Sequence, residues 1–312
     1  MSEFVLPERL KSPVQIGVIA PSGFIRDQIQ TELFKTHFTS LKHNTFLSSN
    51  LSSHYLYFSG TDPERLADIQ STTRNSEIKL VMAARGGYGL SRILADIDTS
   101  KIACSGQNWV GFSDFTFLNL ALLAKENYVS FQGPMAATDF GKPDISSFTR
   151  DHFWSTMTKK SHTVEDIHSP HPYRNQILDG TIWGGCLSIL ASATGTPFMP
   201  EIRDGILFIE DIQEEPYRVE RMLYQLYHAG ILNRQKALLF GQFSQCEPTK
   251  TSAFPYTMDH VVQHLRHLLD IPVLTGFPFG HIADKITVPV GGQAQLSIRK
   301  NAFSIRFTDY NK

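Results

Sequence analysis

Cysteine is scarce in this chain, which limits the chemistry that thiols can supply. The three cysteines, Cys104, Cys186 and Cys246, are odd in number, far apart, and form no C-x-x-C pair. This usage argues against a disulfide framework and against a C-x-x-C zinc or redox site. It favours a reducing compartment.

An excess of one charge and long apolar runs are also missing. The 29 Lys and Arg nearly balance the 30 Asp and Glu, so there is no basic footprint for nucleic acid. No apolar run approaches the roughly 20 residues that span a bilayer, and residues 1–15 lack the basic and apolar regions of a signal peptide. We therefore expect a soluble cytoplasmic protein with neither nucleic acid nor membrane as a partner.

Residues 1–150 alternate short apolar strands with helical patterns. Predicted strands at 14–20, 80–84 and 109–112 are each followed by turn chemistry and a helical stretch. This alternation predicts an α/β domain with a parallel sheet. Ligands bind at the carboxyl ends of such strands, so functional residues are expected there.

The second half has a different pattern. Residues 151–176 are polar and are predicted to be a linker. Residues 177–312 are predicted to form a strand-rich, barrel-like domain with strands at 205–211, 237–240, 286–289, 294–298 and 303–307.

Ser113 stands where a predicted strand turns into a helix, in Gly111-Phe112-Ser113-Asp114. A serine at such a turn exposes its hydroxyl beside the N–H groups of the helix start, as a nucleophile requires. The elbow pattern G-x-S-x-G has a second glycine where this chain has Phe115. The alternative interpretation is that Ser113 is a turn residue or a helix N-cap.

Glu210 and His281 are candidates to activate a serine. Glu210 ends an apolar strand, where a carboxylate can orient a histidine; an ion pair with Arg218 or Arg221 is the alternative. His281 follows Gly280 in a loop and can act as a general base, although it is one of 12 histidines.

The turn Arg85-Gly86-Gly87 does not match a phosphate-binding loop. Its backbone N–H groups are candidate hydrogen-bond donors, and the guanidinium of Arg85 is a candidate bidentate donor to a carboxylate.

His260, His264 and His267 share a helix face, but no fourth ligand completes a zinc site. A solvent-exposed helix face is therefore the favoured interpretation.

Six segments in order resemble the LD-carboxypeptidase family, the muramoyltetrapeptide carboxypeptidases of peptidoglycan recycling. They cover residues 17–22, 85–89, 111–114, 208–211, 215–217 and 276–281. The resemblance implies a flavodoxin- or class I glutamine amidotransferase-like first domain. It also implies a cytoplasmic serine peptidase, without metal or cofactor, that removes the terminal D-alanine from muropeptide tetrapeptides. A homodimer is expected.

Carried over residue by residue, the resemblance implies that Ser113 is the nucleophile, His281 the general base and Glu210 its orienting carboxylate. The oxyanion hole would combine the N–H of Asp114 with one from Gly86–Gly87. Cys186 departs from the asparagine expected in many relatives, which puts any polar role at that position in doubt.

Three alternatives remain. An immunity-type branch of the family hydrolyses peptidyl-nucleotide antibiotics with added aromatic residues, for which Phe153 and Trp154 are candidates. A catalytically inactive muropeptide-binding protein is a second alternative, which retention of Ser, Glu and His disfavours. A flavodoxin-like nucleotide binder is a third, which the missing phosphate motifs disfavour.

Overall fold

The computed structural model describes residues 4–249 and 255–312, which form two β-sheets with flanking helices. The strands are β1 (Gln15–Ile19), β2 (Asn44–Leu47), β3 (Ile78–Ala83), β4 (Asn108–Gly111), β5 (Ser130–Gln132), β6 (His162–His168), β7 (Gln176–Cys186), β8 (Gly205–Ile212), β9 (Gln235–Ser244), β10 (Val273–Leu274), β11 (Val288–Val290), β12 (Gln293–Arg299) and β13 (Ala302–Thr308). The helices are α1 (Ile29–Ser40), α2 (Asp62–Arg74), α3 (Leu90–Ile93), α4 (Thr99–Ser105), α5 (Thr116–Glu126), α6 (Ser147–Thr158), α7 (Leu187–Ala193), α8 (Pro216–His228) and α9 (Met258–Leu268). In the part of the chain that the structure describes, no helix is long and apolar enough to cross a bilayer.

The first sheet has the order β11-β5-β4-β3-β1-β2. Strands β1 to β5 are parallel, and β11 adds an antiparallel edge. All four residues of β4 are buried, as expected for a parallel strand covered on both faces. The strand expected at 286–289 forms as β11, and it joins the first sheet, where Val288 pairs with Gln132 of β5.

The second sheet is mixed and has the order β10-β9-β8-β7-β12-β13-β6. It is parallel from β10 to β7 and antiparallel from β7 to β6. The predicted fold class, a parallel-sheet α/β unit followed by a strand-rich unit, is confirmed. The division at 151–176 stays a prediction; that segment contains the end of α6 and all of β6.

The two sheets meet where β7 ends against the start of α5. Gln132 Nε2 and the backbone N–H of Cys186 both donate hydrogen bonds to Thr116 Oγ1, at 2.8 and 3.3 Å. Gly185 adopts φ +140°, and a Cβ there would lie 2.5 Å from Gln132 Nε2. This close contact places α5, the helix that follows Ser113, beside the strands of the second sheet.

Candidate active site

Ser113 occupies a sharp turn between β4 and α5. Its φ is +61°, a left-handed conformation that is uncommon outside glycine and concentrates at functional sites. Phe112 precedes the short 3-10 turn 113–115, and Phe115 is the N-cap residue of α5. Ser113 is therefore not the helix cap, and its conformation matches the strained elbow of a nucleophilic serine.

Phe115 at the position of the missing second glycine is explained by packing. A Cβ at Gly111 would lie 2.6 Å from Cγ of Phe115. The phenyl ring therefore lies directly over Gly111, where any side chain would collide with it.

The Arg85–Gly89 turn lies against Ser113. A Cβ on Gly86 would lie 2.8 Å from Ser113 Cβ and 2.9 Å from Ser113 Oγ. Within residues 4–249 and 255–312, the backbone N–H groups of Gly86, Gly87 and Asp114 have no protein acceptor. Donors of this kind near a serine hydroxyl suit the stabilisation of an oxyanion.

The side chain of Asp114 connects three segments around this turn, a role that the sequence analysis missed. Its buried Oδ2 accepts hydrogen bonds from Ser22 Oγ at 2.6 Å and from the Leu90 N–H at 2.9 Å. Burial raises the pKa of the Asp114 carboxyl, and these hydrogen bonds act in the opposite direction. The sequence feature that could have indicated this role is Ser22, a hydrogen-bond donor in the Pro21-Ser22-Gly23 turn after β1.

Glu210 lies at a register irregularity between Ile209 and Asp211 in the pairing of β8 with β9. Such bulges re-aim side chains and are frequent beside active sites. The Glu210 side chain has no exposed surface, and its Oε2 lies 2.8 Å from His281 Nδ1. A Cβ on Gly280 would lie 3.3 Å from the same oxygen, so glycine keeps this approach open.

The neighbouring acidic residues have other partners. Asp211 accepts a hydrogen bond from the Ser188 N–H at 2.7 Å, at the start of α7. Burial raises the pKa of the Asp211 carboxyl. Arg218, one of the two alternative partners considered for Glu210, lies 3.8 Å from Glu214 instead, and in the described residues Arg221 forms no ion pair with Glu210. Glu210 is thus the carboxylate that contacts His281.

His281 lies between Glu210 and the Ser113 turn. Its ring contacts the ring of Phe112 edge-on, with centroids 4.9 Å apart, and its side chain is 18% exposed. Ser244 Oγ donates to the His281 carbonyl at 3.2 Å. With Nδ1 directed to Glu210, Nε2 is the remaining nitrogen for proton transfer. Among the described residues, no hydrogen bond joins Ser113 Oγ to the imidazole.

Arg85 is half-buried and has no acidic partner in the described residues. Its Nη1 donates to the Phe24 carbonyl at 2.9 Å. Burial, and then the charge of Arg26, lower the pKa of the Arg85 guanidinium, while Tyr57 acts in the opposite direction. A desolvated cation without a counter-charge suits the binding of an anionic group.

The histidines of α9 each have a separate protein partner. His260 completes a capping box with Thr257, His264 bonds to Tyr224 Oη at 2.7 Å, and His267 bonds to a carbonyl of its own helix at 2.7 Å. Over residues 4–249 and 255–312, no three His, Cys, Asp or Glu side chains form a group that could hold a metal ion.

Cys186 lies opposite Glu210 in the pairing of β7 with β8. It is buried, its Sγ lies 3.2 Å from Ser188 Oγ, and burial raises the pKa of its thiol well above the usual value. The thiol is therefore kept in its protonated form.

Comparison with known proteins matches both halves of the chain. Models of the LD-carboxypeptidase N-terminal and C-terminal domains match residues 16–133 and 179–296. The probable murein peptide carboxypeptidase of Bacillus subtilis (strain 168) is 34% identical over 93% of this chain and 91% of its own. The microcin C7 self-immunity protein MccF of Escherichia coli is 26% identical over 80% of each chain. The crystal structure of muramoyltetrapeptide carboxypeptidase from Oxalobacter formigenes superposes with a TM-score of 0.89 at 41% identity, covering 96% of this chain and 100% of that one. The chain belongs to the LD-carboxypeptidase family.

Proposed function

We propose that this chain is a serine LD-carboxypeptidase that releases the terminal D-alanine from peptidoglycan-derived tetrapeptides. The observation that carries the proposal is the 2.8 Å bond from His281 to the buried Glu210, formed beside the turn that presents Ser113. Family membership supports the reaction class, and the names of relatives support murein peptides as substrates.

In the first step, Ser113 Oγ attacks the carbonyl carbon of the third peptide residue. His281 Nε2 takes the serine proton, and the carbonyl oxygen becomes an oxyanion near the N–H groups of Asp114 and Gly86–Gly87. The bond to the D-alanine nitrogen breaks, and His281 returns the proton to that nitrogen. D-alanine leaves, and the tripeptide remains as an ester on Ser113.

In the second step, water attacks the ester carbonyl while His281 accepts a proton from it. The ester bond breaks, and the proton passes to Ser113 Oγ. Glu210 stabilises the imidazolium that forms in each step and holds Nδ1 protonated. Burial of Glu210 makes this interaction stronger than it would be in water.

In this proposal, Arg85 binds the free carboxylate at the end of the substrate peptide. A carboxypeptidase must distinguish a free carboxylate from an internal peptide bond. The half-buried guanidinium without an acidic partner provides a bidentate donor for that group. Its turn is the one that contacts Ser113 through Gly86.

The carboxypeptidase reaction is favoured over the immunity-type alternative by the aromatic residues of α6. Phe153 is fully buried against Phe140, with ring centroids 5.3 Å apart. Trp154 stacks on His43 at 4.6 Å. Both candidate rings have packing partners, so neither is free to stack on a nucleotide base.

Cytoplasmic location and a homodimer are parts of the same proposal. The three cysteines are free, and two of them, Cys186 and Cys246, are buried. Unpaired thiols are typical of a reducing compartment.

Product analysis tests the function. The protein is incubated with a tetrapeptide ending in D-alanine, with its L-alanine counterpart and with a peptidyl-adenylate analogue, and the products are identified by mass spectrometry. Release of D-alanine from the first substrate alone is expected. Cleavage of the adenylate analogue alone would support the immunity-type activity, and binding without cleavage would support an inactive muropeptide-binding protein.

A further inference from the structure

Exposed apolar side chains cluster in and beside the Arg85–Gly89 turn. Eight large apolar side chains are exposed in the described residues, and half of them lie in or beside this region: Tyr55, Leu56, Tyr57 and Tyr88. Single exposed apolar side chains are normal on a protein surface, whereas a group of them marks a contact site.

Tyr57 is presented by a hairpin with a fixed conformation. Tyr55 and Phe58 exchange two backbone hydrogen bonds of 2.9 Å. Phe58 is buried, with the guanidinium groups of Arg65 and Arg92 at 4.8 and 5.0 Å from its ring centroid. The paired backbone and the buried neighbour anchor the hairpin that carries Tyr57.

Two adjacent glycines separate Tyr57 from the serine. A Cβ on Gly87 would lie 3.2 Å from the Tyr57 hydroxyl oxygen, and a Cβ on Gly86 would lie 2.9 Å from Ser113 Oγ. Ser113 and Tyr57 therefore contact neighbouring glycines of one turn.

The same space contains Arg85. A Cβ on Gly23 would lie 2.9 Å from Arg85 Nη1, and a Cβ on Gly87 would lie 3.6 Å from Gly23 Cα. Burial lowers the pKa of the Arg85 guanidinium, and Tyr57 acts in the opposite direction. The guanidinium and the phenol therefore border one region beside Ser113.

Resting on the proposed function, we propose that Tyr57 is a steric wall that limits the released fragment to one amino acid. When the chain-end carboxylate binds Arg85, a further residue on the leaving group would extend over Gly87 into the Tyr57 ring. Arg85 selects the negative charge of the chain end, and Tyr57 excludes a longer leaving group. Tyr57 is a specificity-determining residue in this account, with no part in proton transfer.

The test compares two substrates on the same preparation. One is the tetrapeptide, and the other carries an additional D-alanine, so that cleavage of the same bond releases D-alanyl-D-alanine. The kcat/KM for each is measured with wild type, Tyr57→Ala and Tyr57→Phe. Tyr55→Ala is the matched control, because Tyr55 is similarly exposed, at 49% against 44%, on the same hairpin. The ratio of the two values is independent of the folded fraction.

We expect wild type to prefer the tetrapeptide and Tyr57→Ala to gain activity on the longer peptide. The ratio should fall by about tenfold or more, the usual effect of removing a steric contact in a pocket. Tyr57→Phe, which keeps the ring, and Tyr55→Ala should keep the wild-type ratio. A wild type active on the tetrapeptide with an unchanged ratio in Tyr57→Ala would overturn the wall alone. A wild type inactive on the tetrapeptide would overturn the proposed function and the wall with it.

Discussion

His281 Nδ1 lies 2.8 Å from Oε2 of Glu210, a carboxylate whose side chain has no exposed surface. The pair joins the His281 loop to the end of β8, and the edge-on contact with Phe112 places the imidazole beside the Ser113 turn. With Nδ1 bonded to Glu210, Nε2 is the ring nitrogen that the proposed mechanism assigns to Ser113.

Replacing Glu210 by glutamine should lower kcat by about 10²- to 10⁴-fold, because an amide cannot stabilise the imidazolium. The fold should persist, since the side chains have similar volume. Steady-state kinetics and circular dichroism check this, with the exposed Glu201→Gln as the control. A kcat within threefold of wild type would remove Glu210 from the mechanism.

Asp114 should make stability depend on pH. Its pKa in the folded protein is raised above the ordinary 3.8, mainly by burial, so the folded state retains a proton that the unfolded state has lost. The free energy of unfolding contributed by this group therefore falls as pH rises from 3.8 through the raised pKa. Asp114→Asn removes the titration. The stability of wild type minus that of the variant, measured by denaturant unfolding, should decrease over that window; an increase would contradict the account.

Adding one methyl group to Gly86 should reduce turnover by about 100-fold or more, because a displacement of Ser113 disturbs the attack geometry. The Cβ would lie 2.8 Å from Ser113 Cβ. Gly106→Ala is the control: Gly106 has φ +68°, so alanine is strained there, but the nearest side-chain atom lies 3.8 Å away. If both variants lose similar stability and similar activity, the Gly86 contact has no specific role.

Arg85→Lys should raise KM for the tetrapeptide by about tenfold or more, since lysine lacks the bidentate fork. A substrate with an amidated chain end should bind wild type and variant equally weakly. Kinetics with both substrates provide the comparison, and Arg299→Lys, at an exposed position of β12, is the control. Equal losses on both substrates would make Arg85 a structural residue.

The candidate site residues were proposed from strand ends, a glycine-bounded loop and the family resemblance. The turn at Ser113, the strand end at Glu210 and the loop at His281 are local patterns. The contacts between them are not local. Asp114 and Ser22 are 92 residues apart in sequence, and no pattern in either segment identifies the other as its partner.

Strands β6 and β11 show what a local pattern does not predict. Strand β6 has only two buried residues, Val164 and Ile167, in an otherwise polar segment, so its composition resembles a linker. Strand β11 was recognised as apolar, but its partner Gln132 belongs to the first sheet. Which sheet a strand joins depends on tertiary contacts, and the order of the strands in the sequence does not determine it.

The central claim is that Ser113 is the nucleophile, and the rate of D-alanine release by Ser113→Ala tests it most directly. The tetrapeptide is the substrate, and thermal unfolding verifies that the variant is folded. The account predicts a loss of at least about 10⁴-fold in kcat, as when the nucleophile of a triad is removed. A folded Ser113→Ala variant that releases D-alanine within tenfold of the wild-type rate would contradict it.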